Sequence, residues 1–100
     1  MTTFWAYLFH QPEADPGNRV EIDTGGQRTA LIPVGSQSEA EDAVEQLLAD
    51  GVQLIELCGA FTVPDAARIV ELVAGRVPVG TVNFAIDSIT QAAAYKAQFD

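Results

Sequence analysis

Glu56 and Cys58 stand two positions apart at the end of the apolar run VQLIELC, and Gly59 and a helix start follow them directly. A carboxylate desolvated at a strand end can serve as a general acid or base. A thiol next to a helix N-terminus becomes more nucleophilic, because the dipole there favours the thiolate. His10, the single histidine, closes another apolar run and could shuttle a proton. Glu56, Cys58 and His10 are therefore the candidate catalytic residues. Gly59, whose amide and its successors could hold an anion, joins Ser36, Thr81 and Asn83 as candidate substrate contacts.

Each of these residues also has a structural reading. Glu56 could be a buried carboxylate paired with Arg68, and Cys58 a small core hydrophobe. His10 could simply close hydrogen bonds at a loop edge. Ser36 also fits a helix cap, Asn83 a turn, and Gly59 a tight strand-to-helix connection.

The elements that must position them follow from hydrophobic period. Phe4 to His10 is an unbroken apolar run, with Phe4, Ala6, Leu8 and His10 on one face and Trp5, Tyr7 and Phe9 on the other. Apolar residues on both faces mark a central strand. QPEADPGN must be loop. The Gly25-Gly26 pair then suggests a short hairpin, Val20 to Asp23 against Arg28 to Ile32.

From Gly35 the period becomes helical. Ser36 with Glu39 forms a capping box, and Asp50-Gly51 ends the helix. Val52 to Cys58 is a strand. A second helix follows, with Thr62 or Val63 as cap, Pro64 in its first turn and Gly75 at its close. Val77 to Phe84 is a further strand, and Asp87 or Ser88 caps a third helix running to Phe99.

This order implies one α/β domain over residues 1–100: a mainly parallel sheet of four to five strands with three helices, built of β-α repeats like a barrel fragment or a flavodoxin-like sheet. Ligands of such sheets bind beyond the carboxyl ends of the strands, where His10, Ser36, Glu56, Cys58 and Asn83 all fall. If helices cover the face of Ile55 and Val82, then Glu56, Cys58, Thr81 and Asn83 face a pocket or another subunit, with His10 near them.

Composition narrows the partners. A net charge of -9, with five scattered bases among 100 residues, leaves no basic stripe for nucleic acid or an anionic membrane surface. No apolar run approaches the roughly 20 residues of a helical membrane span. MTTFWAYLFHQ reads as a strand and not as a signal peptide, which makes the cytoplasm the expected compartment, and a lone cysteine agrees with a reducing one. One histidine and one cysteine do not suggest a metal cage, and no nucleotide or redox motif is present, so no cofactor is expected.

IELCGAF, followed by ARIVELVAGRVPVGTVNF, resembles DUF6506, a family of small bacterial proteins of unknown function. The likeness runs over most of the chain and includes EADP at residues 13–16, E-L-C-G at Glu56 to Gly59 and R-V-P-V-G at Arg76 to Gly80. It implies a shared fold and brings no activity. Relatives prefer a second glycine at Ala60 and a basic residue at Asn83, so a shared site would differ here.

The sequence points to a small-molecule-binding domain with a strand-end pocket around Glu56. The chemistry such a pocket fits is cofactor-free acid–base turnover of isomerase, cyclase or lyase type, and catalysis and plain binding both stay open. A homo-oligomer, most simply a dimer, would cover an incompletely buried sheet face. The alternative is an accessory module that docks a partner through Trp5, Tyr7 or Tyr95.

Overall fold

The computed structural model describes residues 2–100. In chain order it contains β1 (Thr3–His10), a 3-10 turn (Pro16–Asn18), β2 (Val20–Thr24), β3 (Gln27–Val34), α1 (Gln37–Ala49), β4 (Leu54–Leu57), α2 (Val63–Val73), β5 (Val79–Thr81), a 3-10 turn (Ile86–Ser88) and α3 (Ile89–Ala97). One five-stranded sheet runs in the order β2-β3-β1-β4-β5.

The sheet is mixed. β1 pairs in parallel with both β3 and β4, and β4 pairs in parallel with β5. β2 alone runs antiparallel, against β3, with Thr24 opposite Gln27. The two residues between them, Gly25 and Gly26, have φ of 64° and 78°, and a two-residue reversal of this kind needs that left-handed backbone at both positions.

The local signals act as the sequence suggests. Ser36 Oγ accepts from the Glu39 N–H at 3.2 Å while Glu39 Oε1 accepts from the Gly35 N–H at 2.8 Å, and Thr62 Oγ1 accepts from the Asp65 N–H at 3.2 Å. The bonds to Ser36 and Thr62 satisfy amides that a helix start leaves without a partner, and the Glu39 carboxylate ties down the residue before the cap. Ser88 precedes α3 but makes no capping side-chain bond. The last strand is shorter than expected. Only Val79–Thr81 pair as a strand, and pairing ends where the Val82 N–H reaches the Leu57 carbonyl at 3.2 Å.

The core lies between one face of the sheet and two helices. Ala6, Leu8, Ile32, Val34, Ile55 and Leu57 pack against Ala40, Val44 and Leu47 of α1 and Ile69 and Val73 of α2, all buried. Both helices therefore cover the same face. This follows from chain direction: β3 to β4 and β4 to β5 are steps toward the same edge of the sheet, and right-handed crossovers then place both helices on one side.

The opposite face carries Trp5, Tyr7, Phe9, Leu31 and Leu54, and these are only half-buried. α3 does not cover it: its substantial packing is against the 3-10 turn before it, and none of its residues is buried. β1 is thus central, as its two apolar faces suggest, but helices seal just one of them. Among the described residues, no helix is long and apolar enough to cross a membrane.

Candidate functional site

Register places the site. Tyr7 of β1 sits beside Glu56 of β4, and Trp5 beside Leu54. Glu56 in turn sits beside Gly80 of β5. Residues that lie side by side in a parallel sheet share a face, so Trp5, Tyr7, Glu56 and Gly80 all belong to the face without helices. A Cβ at Gly80 would lie 3.6 Å from Glu56 Cγ, so the carboxylate stem extends across the bare strand position.

The same register overturns part of the sequence-based face assignment. Thr81 sits beside Leu57, in the row that faces the helices, and Gly80 holds the place beside Glu56. Asn83 lies past the strand in an exposed irregular segment. Sequence polarity suggested that Thr81 and Asn83 share Glu56's side. Pairing starts one residue out of phase with that assumption, and a shift of one residue exchanges the faces.

Glu56 is exposed, which overturns the expectation of a carboxylate desolvated within its own chain. It is not the partner of an arginine either. Arg68 pairs with Glu41 at 3.4 Å, and Arg76 donates to the carbonyls of Val73 and Leu72, both at 2.9 Å. Among the described residues, no ion pair reaches Glu56. Tyr7, its neighbour, is affected by the site: burial raises the phenol above the usual tyrosine value, and Cys58 and Glu56 push it the same way.

Cys58 is half-buried. Its Sγ lies 3.4 Å from the backbone N–H of His10, which donates to it. The turn of Gly59 and Ala60 and Phe61 separate it from Thr62, the cap of α2, so the thiol is not at the helix start itself. The His10 ring goes elsewhere. His10 lies in the row of Val34, on the helix side, and its ring packs on Phe61 with centroids 4.5 Å apart. The structure thus brings Glu56 and Cys58 to one face with Tyr7, and gives His10 to that group by its backbone alone.

Gly59 has a packing role. A Cβ there would meet Cε2 of Phe84 at 3.1 Å, so the glycine lets that ring lie against the turn. Ser36 caps α1 through its hydroxyl.

A shallow cleft of about 490 Å³ opens near Glu56, toward the amino ends of β1 and β4. Trp5, Gln27, Gln53, Leu54 and Glu56 line it. Its position differs from the expected pocket beyond the carboxyl ends. Gln53 shapes its floor by clamping the strands: its Oε1 accepts from the Phe4 N–H at 2.7 Å and its own N–H donates to the Phe4 carbonyl at 2.8 Å. The Trp5 indole N–H is shielded from solvent and has no hydrogen-bond partner among the described residues. Another cleft, about 300 Å³, lies between Arg19, Ile32 and α1 and includes none of the expected site residues.

Gln53 and Gly80 are neighbours of Glu56's cleft or strand that motif reading passes over, and Trp5 and Tyr7 stand out in sequence only as residues that could dock a partner. Alternation along β1 does put Trp5 and Tyr7 together on one face. What sequence lacks is the pairing that sets Glu56 beside them. Among the described residues, no three His, Cys, Asp or Glu side chains gather as a metal site requires.

A family model described as "Family of unknown function (DUF6506)" matches residues 3–97. No curated protein and no solved structure matches the chain.

Proposed function

We propose that this chain, which belongs to the DUF6506 family of unknown function, binds a small molecule on its open sheet face with Glu56 as the polar anchor. One observation carries the reading: a carboxylate with no ion-pair partner among the described residues, in an aromatic and apolar sheet face, at the rim of a cleft of about 490 Å³. Clefts that bind small molecules combine that size, apolar walls and a few placed polar groups. The ionised carboxylate offers acceptors only. A ligand with a donor or cationic group mounted on an apolar body suits it. The catalytic form of the proposal is cofactor-free proton transfer by Glu56 to or from that ligand.

The test is a thermal-shift screen of the protein against a broad set of small metabolites, run in parallel on Glu56→Gln. Ligand-dependent stabilisation that vanishes in Glu56→Gln supports the site, since binding to the native state alone raises the melting point. Stabilisation that survives the change places the ligand elsewhere, and no stabilisation by any compound sinks the reading.

A second reading has its own observation. Ile86, Ile89, Tyr95 and Phe99 in the C-terminal segment are all at least half exposed, which suits a protein-interaction module better than an isolated domain.

A further inference from the structure

Among the described residues, α3 and the open sheet face are two apolar surfaces left without a helix or strand packed on them, and each has what the other lacks. Along α3, Ile89, Ala92, Ala93 and Lys96 recur at helical spacing and form one stripe, and Phe99 follows in the turn after the helix. Lys96, the single lysine of the chain, lies within that stripe and not on the opposite, polar face. Its present partner is Asp100, 3.0 Å away, in a pair that is largely exposed on both sides. Such pairs are weak and easily exchanged.

The sheet face presents the matching pattern. Its strand residues are aromatic, aliphatic or neutral polar except for one, Glu56. A helix with a cation among its apolar residues can be buried only where an anion waits, because an unpaired buried charge is costly. The sheet face supplies a single anion, and no ion pair among the described residues reaches it. Sizes agree as well: nine residues of helix span roughly 13 Å, and five strands roughly 19 Å. Ala92 and Ala93 are small enough for the helix backbone to approach the aromatic side chains.

We propose that a second copy of this chain covers the open face by laying its α3 across it, which brings the partner's Lys96 to Glu56. The interface is isologous, since each copy gives one helix and receives one. The shallow cleft beside Glu56 becomes an enclosed site completed between two copies, and the lysine is its second charged group. This goes beyond the ligand reading and relies on it only for the statement that the cleft is the binding site.

Charge reversal tests it. Oligomeric state is measured by light scattering on a sizing column for the protein, for Glu56→Lys, for Lys96→Glu, for the double variant and for an equimolar mixture of the two single variants, with circular dichroism to verify folding. The natural chain is expected to be a dimer. Each single variant sets like charges at both symmetric contacts and should dissociate roughly 100-fold more readily. Both the double variant and the mixture should recover the dimer, because in each of them every contact again joins a lysine to a glutamate.

A monomeric natural chain overturns the proposal, as do single variants that dimerise normally. Recovery in the double variant without recovery in the mixture means that α3 folds onto its own sheet, and this also overturns it. The ligand reading is decided separately, since a dimer that binds no metabolite leaves these assembly results as they stand.

Discussion

Tyr7 and Glu56 are side-by-side neighbours on β1 and β4, on the sheet face that no helix covers, and the tyrosine is shifted by that setting. Burial is the largest cause, followed by Cys58 and then Glu56. A raised folded-state value favours the neutral phenol. Its contribution to stability is fully present below the ordinary value of 10.0 and is lost as pH rises through the raised one. In a phenolate absorbance titration, Tyr7→Phe should remove a transition lying above 10.0. Glu56→Gln should bring that transition down only part of the way, because burial remains. A transition that Glu56→Gln leaves unmoved would show the two groups to be uncoupled.

At the opposite edge, Glu21 of β2 accepts from Arg28 at 3.2 Å and pairs with Arg19 at 3.1 Å. The Arg28 hydrogen bond chiefly holds its carboxyl below the ordinary 4.5. A depressed value stabilises the fold above the unfolded-state pKa, and that contribution is lost as pH falls through the folded one. Melting curves of the natural chain and Glu21→Gln should therefore differ slightly at neutral pH, with the natural chain higher, and converge in acid below 4.5. The gap is small because the pair is exposed, and added salt should narrow it. A constant gap across that range would refute the assignment.

The three helix starts are not equivalent. Ser36→Ala and Thr62→Ala each remove a side-chain cap and should each cost about 1 kcal/mol in urea unfolding. Ser88→Ala removes no capping bond and should be close to neutral. Since Ser36 caps α1, its replacement should lower stability without changing any ligand's dependence on Glu56. Equal costs at all three positions would contradict the geometry.

α2 ends on Ala74, whose φ of 53° is left-handed, and Gly75 follows it with φ of 77°. A side chain makes that backbone unfavourable at Ala74, and glycine relieves it. Ala74→Gly should raise stability by roughly 0.5 to 1 kcal/mol, despite glycine's greater freedom in the unfolded chain. An unchanged or lower urea midpoint would show that the terminus relaxes without help.

Much of this architecture is written locally in the chain. Ser36 with Glu39, Thr62 with Pro64 and the Gly25-Gly26 pair act through atoms only a few residues apart, so residue type alone marks the starts of α1 and α2 and the strand reversal, whereas the cap expected of Asp87 or Ser88 at α3 does not form. β1 is equally legible as a central strand, because Phe4 to His10 is a short unbroken run with apolar residues for both faces. Glu56, Cys58 and Gly59 likewise stand out in sequence as a carboxylate, a thiol and a turn at the end of an apolar strand.

Tertiary structure decided which of those residues meet. Register between β4 and β5 is a long-range property, and it placed Gly80 beside Glu56 and turned Thr81 to the helices. Polarity had pointed the other way, since a threonine looks more like a site residue than a glycine does. The His10 ring went to Phe61 because strand alternation carries it to the helix side, a face that the sequence around His10 does not name. Crossover handedness put α1 and α2 on one side of the sheet, so Trp5, Tyr7 and Glu56 were left on the other. A sequence fixes the period of each element through its neighbours in the chain, but which face is covered depends on the order of strands in space.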